Sequence, residues 1–196
     1  MRVITGTARG MRLKTLEGTD IVRPTAEVVK EAMFSIVQFD IEDAVVLDLF
    51  AGSGQLGIEA LSRGAAKAYF VDSSPASIAV IRENLKHTRL EDRAVVANMP
   101  NSAFLRTAPE KFDIAFLDPP YRKKLIQRSL PALAEIMSDN GIIVCEHENE
   151  TSMPEFIGDE NGEMPEKGFY LHKTYNYGKI ALSVYRRKTA EEDEEL

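Results

Sequence analysis

The chain has a single cysteine, Cys145, in 196 residues. No internal disulfide can form, which excludes a small scaffold stapled by such bridges and fits a reducing compartment. Long apolar runs are missing too. None approaches the roughly 18–20 residues of a membrane span, and the N-terminal MRVITGTARGMRLK lacks the apolar core of a secretory signal. The expectation is a cytoplasmic protein without membrane contact. Histidine is scarce: His87, His147 and His172 stand apart without metal-ligand spacing, so no metal is expected. No Ser-His-Asp arrangement can be argued. Internal repeats and long linkers are lacking, and nothing points to an obligate protein partner.

What remains is an ordinary globular composition, 44% hydrophobic and 28% charged, enough for one domain with a sizeable core. The formal charge of −7 at first argues against a nucleic-acid partner. Its distribution argues otherwise. The end, EEDEEL, carries five acids and is expected to be a disordered tail; without those five negative charges the body stands at −2. The first sixteen residues hold Arg2, Arg9, Arg12 and Lys14 and no acid. Arg122, Lys123, Lys124 and Arg128 form a second basic cluster, and Arg186, Arg187 and Lys188 a third. Each is either solvated surface or a local phosphate contact.

Residues 2–16 read as two short strands around Thr7–Gly10, a hairpin. A helix is expected from Pro24–Thr25 to about Gln38, with Val28, Val29, Ala32, Met33, Ile36 and Val37 on one face. From there strands and helices alternate: AVVLDLF, helix 55–64, AKAYFVD, helix 75–88 opened by Pro75, RAVVAN, a short helix near 101–107, FDIAFLD, helix 122–138, GIIVCEH. The segment FYLHKTYNYGKIALSVYRR closes as a hairpin turning at Asn176–Gly178. This is an α/β pattern: a doubly wound, mostly parallel sheet of seven strands with an antiparallel C-terminal hairpin. Three parts are expected: an N-terminal hairpin (1–22), the α/β body (23–188) and the acidic tail (189–196). Ligands of such sheets bind at the carboxyl ends of the strands.

The segment after the first core strand is DLFAGSGQLG. Gly52, Gly54 and Gly57 match G-x-G-x-x-G between a strand and a helix, the context in which that pattern lets the backbone approach a ligand at a helix N-terminus. A tight strand-to-helix turn is the plainer reading. The next strand ends at Asp72-Ser73, about 20 residues past the loop, where an acid can accept both ribose hydroxyls of an adenosine. A dinucleotide enzyme fits equally well to this point. Asp48 tips the balance: an acid before the loop repels a pyrophosphate but suits the ammonium and sulfonium of S-adenosylmethionine. Little chain is left for a dehydrogenase's substrate domain. The third strand ends at Asn98-Met99, where an adenine contact is expected.

The fourth strand runs into Asp118-Pro119-Pro120-Tyr121. Two prolines end a strand and fix φ. The arrangement suits an exocyclic amine on a nucleobase. The Asp118 carboxylate takes one N–H and the Pro119 carbonyl the other, so that the nitrogen lone pair is aimed at the methyl group. Tyr121 can stack on an extruded base, and the following cations can hold phosphate. A strand end capped by a tyrosine is the bland alternative. Cys145 is expected in the core. Glu146-His147-Glu148, after the fifth strand at the edge of the cleft, is expected at the surface, and the late aromatic residues are expected to pack on strands.

DPPY resembles the [D/N/S]-PP-[Y/F/W] signature of class I S-adenosylmethionine-dependent methyltransferases acting on exocyclic amines. RVITGTARGMRLKT, RPTAEVVKEAMFSIV, LDLFAGSGQLGIEALSRGA and FLDPPYRK, in this order and spacing, are similar to the RsmD family, bacterial enzymes that methylate N2 of a guanine in 16S ribosomal RNA. The resemblance covers roughly residues 2–187. It implies a Rossmann-like methyltransferase fold, S-adenosylmethionine as cofactor, and 16S RNA in the assembled or assembling 30S subunit as partner. By position it implies that Asp48, Phe50, Ala51, Gly52, Ser53 and Gly54 line the methionine end. It further implies that Asp72 and Ser73 hold the ribose and that Asp118, Pro119, Pro120 and Tyr121 form the catalytic motif. Arg2, Arg9, Arg12, Lys14, Arg23, Arg122 and Lys123 are expected on RNA. Relatives often carry an acid where Met99 stands, which leaves the adenine contact to Asn98 or backbone. Guanine rather than adenine N6, and RNA rather than DNA, rest on this resemblance. An oxidoreductase or an RNA-binding protein with a dead site are the readings from other classes.

Overall fold

A computed structural model describes residues 1–16, 24–120, 124–158 and 168–187, with backbone alone for 24–26. The elements in chain order are α1 (Pro24–Ile36), β1 (Val45–Asp48), α2 (Gln55–Ser62), β2 (Lys67–Asp72), α3 (Pro75–Thr88), β3 (Ala94–Asn98), α4 (Asn101–Arg106), β4 (Phe112–Leu117), α5 (Leu125–Glu135), β5 (Met137–Glu148), β6 (Phe156–Ile157), β7 (Phe169–Tyr177) and β8 (Ile180–Arg186). The strands form one sheet of order β3-β2-β1-β4-β5-β8-β7-β6. Pairing is parallel from β3 to β5 and antiparallel beyond. The chain steps from β1 outward to β3, then returns to β4 on the other side of β1. The carboxyl ends of β1 and β4 therefore flank a crevice that no crossover covers.

Alternation along the strands divides the core in two. Val46, Phe70, Ile114, Phe116 and Val144 pack with Met33 and Phe34 of α1, Ile58 and Leu61 of α2 and Ile81 of α3. Leu47, Val71, Ala115, Leu117 and Cys145 face the other way, onto Phe104 of α4 and Leu130 and Leu133 of α5. Such near-continuous apolar strands mark a sheet covered on both faces. Cys145 is in this core as expected.

Several boundaries differ from the sequence-based expectation. Helix 122–138 is α5, Leu125–Glu135, and the strand expected at GIIVCEH begins earlier, at Met137. Phe112 pairs Met137 before a register shift, so tertiary pairing extends a stretch, SDNG, that reads locally as a turn. Phe156–Ile157 add an eighth, two-residue strand at the edge. On α1 the buried apolar stripe is Val29, Met33 and Phe34, continued by Val37 just past its end, while Val28 is 51% exposed. The expected face was centred one residue too early and missed Phe34, whose ring lies 5.1 Å from that of Phe116.

The N-terminal hairpin reduces to a single antiparallel bridge, Arg2 with Arg12. Its loop is pinned to the body by polar contacts. The buried Glu59 carboxylate of α2 accepts the N–H groups of Ile4 and Thr5 at 2.8 and 2.9 Å and pairs with buried Lys30 at 3.0 Å. Thr7 N–H donates to the Ser62 carbonyl and Ala8 N–H to Ser62 Oγ. Buried Asn84 of α3 accepts from Lys14 N–H and donates to both the Lys14 and Ser53 carbonyls. The segment thus lies beside the glycine loop. The tail expected at 189–196 is outside the described residues.

Candidate functional site

Residues 49–54 turn from β1 into α2. Leu49 N–H donates to the Phe116 carbonyl and Ala51 N–H to that of Val71, which ties the loop to β4 and β2. Gly52 and Gly54 have φ of 53° and 78°, the left-handed region that side chains with a Cβ disfavour. Gly57 has another reason: a Cβ there would sit 2.3 Å from Cε1 of Phe70, so its absence lets α2 lie directly on β2. Each glycine of the pattern has its own physical cause.

Two carboxylates brace this loop. Asp72 Oδ2 accepts Gly52 N–H at 2.9 Å and Oδ1 accepts Ser74 N–H at 2.8 Å, which leaves a lone pair on each oxygen for a ligand. Asp48 is 1% exposed, and its Oδ2 accepts Gly57 N–H at 3.0 Å. Burial pushes its carboxyl up to about 7, with Asp72 adding to the shift, while the Gly57 N–H and Lys30 oppose it.

A cavity of about 770 Å³ opens here. Phe50, Ala51, Gly52 and Ser53 line it, with Asp48 at its floor and Asp72 and Ser73 on the β2 side. Asp118, Pro119 and Pro120 enter from the end of β4. The structure therefore brings together most of the residues expected to bind the cofactor, and three of the catalytic motif. Asp118 is half-buried. Its carboxyl is pushed well above the ordinary range by loss of water, then by Glu146 and Asp48.

Asn98 and Met99 do not line the cavity. The Asn98 amide donates to the Asp72 carbonyl at 3.1 Å, and Met99 packs on the α4–α5 side of the core. Asn101 lines the wall in their place, its Nδ2 held 2.8 Å from Ser129 Oγ. Sequence reasoning also missed Gln55, Ser74, Ser77 and Leu16 in the lining. Gln55 is notable because its Oε1 is buried without a hydrogen-bond partner among the described residues. Its signal was present, since it is the first residue of the helix that the glycine loop opens. Glu146 also lines the cavity. The surface expectation for His147 is corrected: it is 3% exposed, because β5 continues to Glu148 and pairs with β8 to its last residue.

Arg2, Arg9, Arg12 and Lys14 are all exposed on the N-terminal segment. Arg2 lies 3.6 Å from Glu27, and Lys14 pairs with Glu83. Lys124 is exposed before α5, in the left-handed region with φ of 50°. Tyr121, Arg122, Lys123 and Arg23 lie outside the described residues.

Comparison with known proteins agrees with this architecture. A family model described as conserved hypothetical protein 95 matches residues 1–186. YlbH of Bacillus subtilis, named a candidate rRNA methyltransferase, is 35% identical over 193 residues, 96% of this chain and 100% of that protein. Ribosomal RNA small subunit methyltransferase D of Escherichia coli is 32% identical over 99% of this chain and 93% of its own length. The solved structure of yhhF from Escherichia coli, a candidate methyltransferase, superposes with a TM-score of 0.78 at 32% identity, covering 96% of this chain and 98% of that one.

Proposed function

The chain belongs to the RsmD family, and from that premise and the cleft we propose that it transfers a methyl group from S-adenosylmethionine to the exocyclic N2 of one specific guanine in 16S ribosomal RNA. The observation that carries this reading is the meeting of Asp118-Pro119-Pro120 with the glycine loop and Asp72 in one cavity.

The residues fit the cofactor on their own chemistry. A fully buried acid and an unpartnered buried amide oxygen, Asp48 and Gln55, suit a cationic ligand end. Asp72 keeps acceptor capacity for the ribose hydroxyls. When bound, the cofactor supplies an electrophilic methyl on a positively charged sulfur. The chain does the rest. Asp118 and the Pro119 carbonyl each accept one N–H of the guanine amine, which turns its lone pair toward that methyl. The proton shed by the nitrogen on methylation would go to Asp118. A carboxyl held high by burial and by two neighbouring acids is a ready acceptor for that proton. Exposed Arg2, Arg9, Arg12 and Lys14 supply phosphate contacts, and Tyr121, Arg23, Arg122 and Lys123 are proposed, by position, to complete the RNA contact.

The test is transfer from labelled S-adenosylmethionine to naked 16S RNA, to small subunits lacking the modification, and to duplex DNA, with digestion to nucleosides. N2-methylguanosine from RNA or subunits is the expected product. Methyladenine, or label in DNA alone, would overturn the substrate.

A further inference from the structure

Pro119 and Pro120 line two cavities, and Asp118 lines the first of them. The second, of about 530 Å³, shares Pro119, Pro120, Leu125 and Glu146 with the first and extends toward Lys124 and Glu148. Its size suits a bound small molecule or base. Among the described residues, Glu146, Glu148 and Lys124 are its charged lining.

The strand register narrows what this lining can bind. β4 and β5 pair in parallel with Leu117 opposite Cys145. The next step sets Asp118 beside Glu146 on one face of the sheet, on strands about 4.8 Å apart. Glu146 lines both cavities and is one of the charges felt at Asp118. The rung is held rigidly from below. Buried His147 donates from Nδ1 to the Glu148 carbonyl at 2.9 Å, and its Nε2 accepts from Ser183 Oγ of β8 at 2.8 Å. His147 is a positioning residue for this end of β5.

Two carboxylates side by side call for two adjacent donors. Guanine presents N1–H next to its N2 amine. Adenine and cytosine present a ring lone pair next to theirs, which would face a carboxylate lone pair to lone pair. We propose that the second cavity receives the target guanine, with its amine edge at the boundary shared with the first, and that Glu146 accepts its N1–H, so that Glu146 selects guanine over other amine-bearing bases. This rests on the reading that guanine N2 is the acceptor and names the residue that enforces it.

The experiment uses the full chain and small subunits in which the methylated guanine, once mapped, is replaced by 2-aminopurine. That base keeps the 2-amine but carries a lone pair at N1. The wild type should prefer guanine by roughly tenfold to a hundredfold in kcat/KM. Glu146→Gln can donate to the 2-aminopurine N1, and the preference should fall at least tenfold. Glu146→Ala should move the ratio the same way, so either variant, if folded by the cofactor-binding criterion, decides. An unchanged ratio in a variant that binds cofactor overturns the role of Glu146. Absence of transfer to guanine by the wild type, with cofactor bound, would instead overturn the proposed function itself.

Discussion

Replacing Asp48 by asparagine should make the protein more stable above neutral pH while weakening its hold on the cofactor. Asp48 is buried, and its raised carboxyl, about 7 against an ordinary 3.8, means that the folded state keeps a proton the unfolded chain has lost. The stability is intact below pH 3.8 and drains away as pH climbs to the folded value, then levels off. At 1.36 kcal/mol per unit, the penalty reaches about 4 kcal/mol above pH 7 and about 1.7 kcal/mol at pH 5. Asparagine carries no charge, and its Oδ1 can still accept the Gly57 N–H that Asp48 now accepts at 3.0 Å. For a chain of this size 1 kcal/mol moves Tm by about 2–4 °C, so the variant should melt roughly 10 °C higher at pH 8 and at nearly the same temperature at pH 4. Calorimetric melts of both proteins without cofactor, across that pH range, measure the difference. A constant offset at every pH, or a variant less stable at pH 8, would refute the reasoning. Cofactor affinity should drop at least tenfold, and an unchanged affinity would remove Asp48 from the cationic end of the site.

Asp118→Ala should abolish methyl transfer by about a hundredfold or more while leaving cofactor affinity intact; normal turnover would sink the mechanism. In the wild type the rate should rise with pH as the Asp118 carboxyl, held above the ordinary range, ionises, and a pH-independent rate would contradict this. Asp72→Ala should do the reverse of Asp118→Ala, with cofactor affinity as the readout. Gly57→Ala drives a methyl into the Phe70 ring and should cost about 1–3 kcal/mol in chemical denaturation, an outcome that stability equal to the wild type would exclude. Arg9→Ala with Arg12→Ala should weaken RNA binding and lower the salt slope by about two, whereas an unaltered slope would take these exposed side chains off the phosphates.

The alternation of strands and helices was legible because it is local: each apolar run and each glycine stop lies within a few residues of the feature it sets. The glycine loop, Asp72 and Asp118 were legible for the same reason, as residues that follow a strand. Glu59 was not. A glutamate on an amphipathic helix reads as solvent face, and only the distant Ile4, Thr5 and Lys30 show that it is buried. Asn84, with partners at Lys14 and Ser53, is hidden in the same way. Glu146 was seen but undervalued, because its meaning depends on the rung beside Asp118, and register between strands has no signal in the residues of either strand alone. Met99 and Asn101 show the limit of positional transfer: a few residues past a strand end, the direction of the chain decides which side chain reaches the cavity.

The pinning of the N-terminal segment has a consequence for synthesis. Ile4 and Thr5 need Glu59, 55 and 54 positions later, and Lys14 needs Asn84, 70 positions later. At about 5–20 residues per second, Lys14 waits roughly 4–14 s for its anchor to be translated. Residues 4–14 thus acquire their shape only after α2 and α3 have been made. For that interval a basic, acid-free segment stays without the buried partners that will hold it.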